Sequence, residues 1–326
     1  MRSLPAANVT VQEKRGEVFG KSIWRPTAKL TLEGGLRYEG SNISSEGDVV
    51  LEKTLYYAKP RAALTWSATP STQLRLRFER VVGQLNFSDF VASSNFTGVG
   101  VTVGNPDLDP EQAWVSEAAV EQRFWGDGVV VVTLRHSELD DVIDRGPVFT
   151  TTSVFDRPTN IGSGAKDELI VALTLPFQRV GLTGAQLKGQ VTWRDSKVTD
   201  PTTGRKREIS GLRPVEWNAT FSHDVPAWKM TYGADAYGGF RERYYRFNSI
   251  DTLKLRTYVR PFAEWRLQPD LQLRVELPNI TERGLKRTLQ VFDGPRGANN
   301  PAPVRIEDRE YQFGRMYYIR VRKTFD

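Results

Sequence analysis

The sequence predicts an all-β protein, a transmembrane antiparallel up-and-down β-barrel with about 12 to 14 strands in this chain and forming part of a larger barrel. Three observations carry this. Apolar and polar residues alternate along nearly every candidate strand, so one face can meet lipid while the other meets water. Connections are short at one end of the strands and long at the other, as outer-membrane barrels require. Tryptophans gather near strand ends, at the level where an indole ring is buried and its N–H stays wet.

Taken in order, the opening MRSLPAANVT has no apolar h-region and no cleavage site, so it is not a secretory signal. Leu30, Leu32, Leu36 and Tyr38 then oppose Lys29, Glu33, Arg37 and Glu39. Leu74, Leu76 and Phe78 oppose Arg75, Arg77 and Glu79. Leu187, Val191 and Trp193 oppose Lys188, Gln190, Thr192 and Arg194, and Leu271, Leu273, Val275 and Leu277 oppose Gln272, Arg274 and Glu276. The closing YIRVRKTF sets Tyr317, Ile319, Val321 and Phe325 against Tyr318, Arg320, Arg322 and Thr324, with Lys323 the exception on the apolar side. None of these runs has helical spacing. Many run to roughly 10 to 13 residues, where soluble strands average 5 or 6 and a tilted membrane strand needs about 9 to 11.

With the C-terminus taken as periplasmic, short turns fall near 24–27, 67–71, 125–128, 177–184, 224–227 and 267–270. Long outer connections fall near 40–51, 84–112, 138–165, 196–212, 241–251 and 281–309. Trp24, Trp66, Trp125, Trp228 and Trp265 lie at the inner ends, and Trp114, Trp193 and Trp217 at the outer ends. About 13 strands are recognisable. That odd count, where bacterial barrels are even, and the missing export signal make the C-terminal part of a longer protein the expected identity of this sequence.

Composition narrows the function classes. The chain has 326 residues, no cysteine and a net charge of +6. Disulfides, thiolate nucleophiles and thiolate metal sites are excluded. Basic residues stand beside acids along strands, with no element that would read bases, so nucleic acid is not an expected partner. Only His136 and His223 are available for acid–base work. Ser137 follows His136 in one strand and points to the other face, so they make a poor pair, and no catalytic residue is assigned. Asp140, Asp141 and Asp144 match no calcium-loop spacing, and no metal or cofactor is expected.

The stretch GNPDLDPE at 104–111, opening into a strand at Gln112, together with YIRVRKTF, resembles the β-barrel of TonB-dependent outer-membrane receptors. GLRYEG at 35–40, RPTNIGSG at 157–164 and LRVELPNITER at 273–283, the last like the penultimate strand, extend the resemblance over nearly the whole chain. It implies TonB-energised uptake of a scarce nutrient of the siderophore, cobalamin or saccharide class across the Gram-negative outer membrane. The family's signal peptide, TonB box and plug are not among these 326 residues, so contact with TonB would come only through other segments. Asp326 follows the terminal aromatic where the family usually ends on it. Outer-membrane lipid, lipopolysaccharide and the barrel-assembly machinery, met through the C-terminal strand, are the other implied partners.

Within that frame Gly104, Asn105, Pro106, Asp107, Leu108, Pro110 and Glu111 read as loop-shaping residues, and Phe325 as the closing signature. Candidate ligand contacts are Phe87, Asp89, Phe90 and Phe96 in the 84–112 connection, and Arg241, Arg243, Tyr244 and Tyr245 in the run RERYYRF. Aromatics and arginines together suit an anionic chelate or a sugar. They equally suit loop packing and an interfacial belt facing lipopolysaccharide. Glu33, Arg37, Arg75, Arg77, Glu79, Glu117, Glu121, Arg123, Arg256, Arg260, Glu264, Arg274, Glu276, Arg320 and Arg322 are expected to face the lumen and pair across strands or meet a plug. A plugless porin-like channel and a soluble all-β glycan-binding module are the alternative readings.

Overall fold

The computed structural model describes residues 9–48, 50–90, 93–95, 100–102, 104–151 and 153–325. Its principal element is a 14-stranded antiparallel sheet, in which the short strand Lys206–Arg207 lies off the main path. The remaining thirteen strands follow one another in sequence order as β1 (Val9–Thr27), β2 (Leu30–Gly47), β3 (Leu51–Ser67), β4 (Thr72–Val82), β5 (Gln112–Phe124), β6 (Gly128–Asp140), β7 (Gly164–Pro176), β8 (Ala185–Thr199), β9 (Val215–Val225), β10 (Met230–Tyr237), β11 (Tyr258–Gln268), β12 (Leu271–Glu276) and β13 (Tyr318–Lys323). Each is hydrogen-bonded to the next, the up-and-down meander that the alternation predicts. Among the described residues β1 and β13 are free edges and do not pair with each other.

The alternation becomes two faces. Val120, Val132, Leu134 and Trp193 stand exposed on the outer face. In β6 the pattern is strict, with Val132, Leu134 and His136 pointing out between Val131, Thr133 and Arg135. The inner face carries a charge belt, one strand's acid meeting the next strand's base. It runs through Lys21–Glu33 at 2.8 Å, Glu33–Arg61 at 3.5 Å and Arg61–Glu79 at 3.5 Å. Arg77 binds both Glu79 and, at 2.7 Å, Glu117. Glu117–Arg135 follows at 2.8 Å, then Arg135–Glu168 at 3.1 Å, Glu168–Arg194 at 2.8 Å and Arg194–Glu216 at 2.9 Å. Opposite charges on neighbouring strands each contribute roughly 0.2–1 kcal/mol, so the belt favours one register. Glu168 is its most buried carboxylate, at 7% exposure. Glu168→Gln is expected to destabilise by about 1–3 kcal/mol, because the shared negative charge is lost and one of Arg135 and Arg194 then faces an amide NH2 in place of an acceptor oxygen; urea titration in phospholipid vesicles would measure it.

The outer ends are capped. The strands Ile143–Phe149 and Val154–Asn160 form a hairpin that joins the short strands Ser93–Asn95 and Gly100–Thr102. A second four-stranded sheet is built from Phe240–Tyr245, Ser249–Leu255, Gly284–Val291 and Arg305–Gln312. The buried apolar clusters also lie at this end. Ile43, Phe90 and Leu108 form one, and Leu139, Val142 and Val198 the other.

One connection departs from expectation. Residues 40–47 are not loop: β2 continues to Gly47 and β3 starts at Leu51. Ser and Asn there look like turn formers. Ser41, Ile43 and Ser45 instead hold alternating buried positions, Ile43 packs against Phe90 and Leu108, and the Asn42 amide bonds Glu52 and Thr54 at 3.2 and 3.0 Å. Tertiary packing overrides the local signal. The first inner turn likewise falls after Thr27 rather than at 24–27.

Candidate functional site

The 104–111 segment is held by its own polar groups. Asn105 is buried; its amide donates to the Pro158 carbonyl at 2.9 Å, and its side-chain oxygen accepts from the Asp107 N–H at 3.2 Å. Asn160 reciprocates, accepting from the Asp109 N–H at 2.9 Å and donating to the Asp109 and Asp141 carbonyls at 2.8 Å each. Lys53 bridges Asp107 and Asp109 at 3.3 and 2.8 Å. Leu108 is inserted between Ile43 and Phe90. Glu111 accepts from the Ile143 N–H at 3.4 Å, and burial raises its carboxyl above the ordinary value despite that bond. Gly104, Pro106 and Pro110 fix the path between these anchors.

This scaffold positions Asp89 beside the hairpin strand that carries Arg145. A cavity of about 380 Å³ opens between the cap elements, walled by Asp89, Asp144, Arg145, Ser210, Tyr244, Tyr245, Arg246 and Asp251. Of the sequence candidates, Asp89, Tyr244 and Tyr245 are brought together here. Phe90 is fully buried and belongs to the packing, not to an exposed stacking surface, while Phe87 meets it edge-on at 5.5 Å. Arg241 and Arg243 are each engaged by Glu208 at 3.2 Å and do not wall the cavity. Phe96 lies outside the described residues. Phe325 follows β13 and is highly exposed.

The cavity's electrostatics are set by desolvated charges. Arg145 faces Asp89 at 3.5 Å, yet its Nη1 is buried with no hydrogen-bond partner. Burial pushes this guanidinium below its ordinary pKa, opposed only in part by Asp89. Behind it Asp156, nearly inaccessible, accepts from the Phe247 N–H at 2.9 Å and lies 3.9 Å from Arg246; burial raises its carboxyl despite both. Tyr245 lies under the Arg207 guanidinium at 4.5 Å and donates to Glu208 at 3.2 Å. Its phenol is raised, chiefly by burial.

Below the tyrosines a buried ion cluster ties three outer connections together. Arg207 binds Asp144 at 2.9 Å and Asp200 at 2.7 Å, and Arg296 binds the same Asp200 at 2.7 Å. Asp200 also accepts from the Thr202 and Thr203 N–H groups at 2.9 Å each. Burial alone would raise this carboxyl, but the Arg296 and Arg207 bonds outweigh it and hold it below the ordinary range.

Sequence reasoning did not single out Arg145, Ser210, Arg246 or Asp251, and it weighed Asp144 only as a calcium ligand. Arg246 falls within RERYYRF and was within reach. Arg145 meets Asp89 across a long stretch of chain, and no local pattern marks it. Among the described residues no cluster of His, Cys, Asp and Glu could hold a metal ion.

The sequence matches the family described as TonB dependent receptor-like, beta-barrel, over residues 3–280. No curated protein matches it. Solved structures do. A ferric enterobactin receptor, PfeA, from Pseudomonas aeruginosa aligns over 96% of this chain and 45% of its own, at 16% identity and a TM-score of 0.63. The ferric-catecholate import receptor Fiu from E. coli K12 aligns over 97% and 45%, at 10% identity and 0.63. The copper transporter OprC aligns over 97% and 50%, at 10% identity and 0.69. This chain thus spans about half the length of the structures it resembles. The family match over most of the sequence and the recurrence of its meander in receptors and transporters lead to one conclusion: the chain belongs to the β-barrel family of TonB-dependent receptors, proteins of the Gram-negative outer membrane and not enzymes.

Proposed function

We propose that this chain supplies barrel wall and extracellular cap to a receptor for TonB-energised uptake of a scarce small-molecule nutrient, in the siderophore, cobalamin or saccharide class. The observation that carries the reading is the cap cavity, where Arg145 keeps an unbonded buried N–H beside Asp89 and the two tyrosines. An orphan buried donor costs about 1–3 kcal/mol, and a ligand oxygen placed there would recover it. Arg241 and Arg243, held by Glu208 behind the tyrosines, would act by fixing the tyrosine positions. Outer-membrane lipid and lipopolysaccharide would surround the exposed apolar face, and the assembly machinery would read the strand that ends at Phe325.

The test is uptake in cells that depend on this receptor, offered ferric catecholates, cobalamin or maltooligosaccharides in turn. Arg145→Ala and Tyr244→Ala are expected to reduce uptake of one class at least 10-fold, and collapse of the proton gradient to abolish it. Ion conductance in planar bilayers without TonB, with uptake indifferent to both substitutions, would instead establish an open channel.

A further inference from the structure

Two arginines share one phenyl ring where the inner wall meets the cap. Arg213 lies over the Phe240 ring at 3.7 Å. Arg283 approaches the same ring at 5.9 Å and the Tyr258 ring at 6.0 Å. Tyr258 begins β11 on the inner face, two residues before the Arg260 that binds Asp235 there. Arg213 is matched, by Glu242 at 2.6 Å and by the belt's Glu216 at 3.1 Å. Arg283 has no such partner; the charged and titratable groups acting on it are Arg213 and the Tyr258 phenol. Among the described residues, three arginines hold a buried nitrogen without a hydrogen-bond partner: Arg145, Arg207 and Arg283. Arg145 faces Asp89, and Arg207 binds Asp144 and Asp200. Arg283 is the one of the three with no carboxylate.

Burial makes the missing partner costly. Lys188 also lacks an acid on the inner face, but it is exposed and keeps its water. Arg283 is partly buried, and burial together with the like charge of Arg213 holds its guanidinium below the ordinary pKa. Its backbone is nonetheless pinned. The Arg283 N–H donates to the Asn279 side-chain oxygen at 2.7 Å. Asn279 is buried, and its amide donates to the Phe313 and Gly314 carbonyls at 2.5 and 3.1 Å. The enclosed nitrogen of Arg283 is Nε. Nη1 and Nη2 make no hydrogen bond among the described residues and are not enclosed. The open edge of the fork is therefore the one that can meet two oxygens of a single anion.

We propose that Arg283 is an oxyanion site on the inner wall, separate from the cap cavity, that takes a carboxylate of the passing solute end-on between Nη1 and Nη2. Phe240 and Tyr258 hold the guanidinium in place, and the bound carboxylate supplies the charge that no side chain of this chain provides. That the carboxylate belongs to a solute rests on the uptake reading; the anion site does not. Glu242 joins the two places, since it binds Arg213 and accepts from the cavity's Tyr244 hydroxyl at 3.1 Å. A solute that leaves the cavity along this wall reaches Arg283 next. An acidic nutrient gains there what a neutral one cannot.

The test is phenylglyoxal labelling of the protein in outer-membrane preparations, with the rate at each arginine read by mass spectrometry. Sodium benzoate is the probe. Benzamide, which has the ring without the charge, and sodium chloride, which has a charge without paired oxygens, are the controls. Arg283 is expected to label readily alone, and benzoate to slow it about 10-fold, as nine-tenths occupancy would. Benzamide and chloride should leave its rate unchanged. The exposed Arg123 should label alike in every condition. The proposal is overturned if benzoate gives no protection, or if benzamide or chloride protects as well. It is also overturned if Arg283 labels slowly with and without benzoate, because a protein carboxylate would then already fill the fork. Protection without energised uptake would fault the uptake reading and leave the anion site standing; uptake without protection would overturn the site alone.

Discussion

Asp200→Asn is expected to loosen the extracellular cap by about 3–5 kcal/mol, the cost typical of removing one partner from a buried ion cluster. The asparagine would retain approximate shape and could still accept from Thr202 and Thr203. It could not balance Arg207 and Arg296, both of which bind Asp200 at 2.7 Å in a nearly inaccessible site. Amide exchange across 200–210 and 295–300 would measure the effect, and a change under about 1 kcal/mol would show that these ions are effectively solvated. The pH dependence has a defined sign. Asp200 titrates below its ordinary value in the folded cap, so its contribution is complete above the unfolded carboxylate pKa. It is lost as pH falls through the lower, folded value. Acidification should therefore increase exchange in the native cap, and Asp200→Asn should lack that component.

Leu134→Arg is expected to destabilise the barrel by about 2–4 kcal/mol in phospholipid vesicles, the cost of a cation near the bilayer midplane on a lipid-facing strand. Leu134 lies midway along β6 and is 59% exposed in the absence of lipid. Val131→Lys, on the inner face opposite Glu121, should change stability by no more than about 0.5 kcal/mol. Equal costs at the two positions would overturn the assignment of faces.

Period-2 patterning made most of the wall legible. β12 could be placed from Leu271, Leu273 and Val275 against Gln272, Arg274 and Glu276, and β13 from Ile319 and Val321 against Arg320 and Arg322, because a single register slip would drive every charge into lipid. The belt's partners were harder to see. Glu168 sits in the polar run Lys166–Asp167–Glu168, where alternation is blurred. Only the pairing register shows that Asp167 turns outward to His136 at 2.6 Å while Glu168 turns inward to Arg194. The cap was least legible, since its contacts join residues from connections far apart in sequence. Phe87 and Phe90 look equivalent in QLNFSDF, and the difference between them is set by Ile43 and Leu108, supplied by other segments.

The belt on the inner wall also bears on how far the protein's charge is felt. Alternating signs at neighbouring positions cancel as a multipole, and salt damps what is left beyond about 8 Å at physiological ionic strength. A charged solute travelling clear of the wall would meet almost no net field from it, whatever its sign. Discrimination by charge would then be exercised at the mouth, where Arg145 and its neighbours are desolvated and screened little. Permeation past that point should respond weakly to added salt.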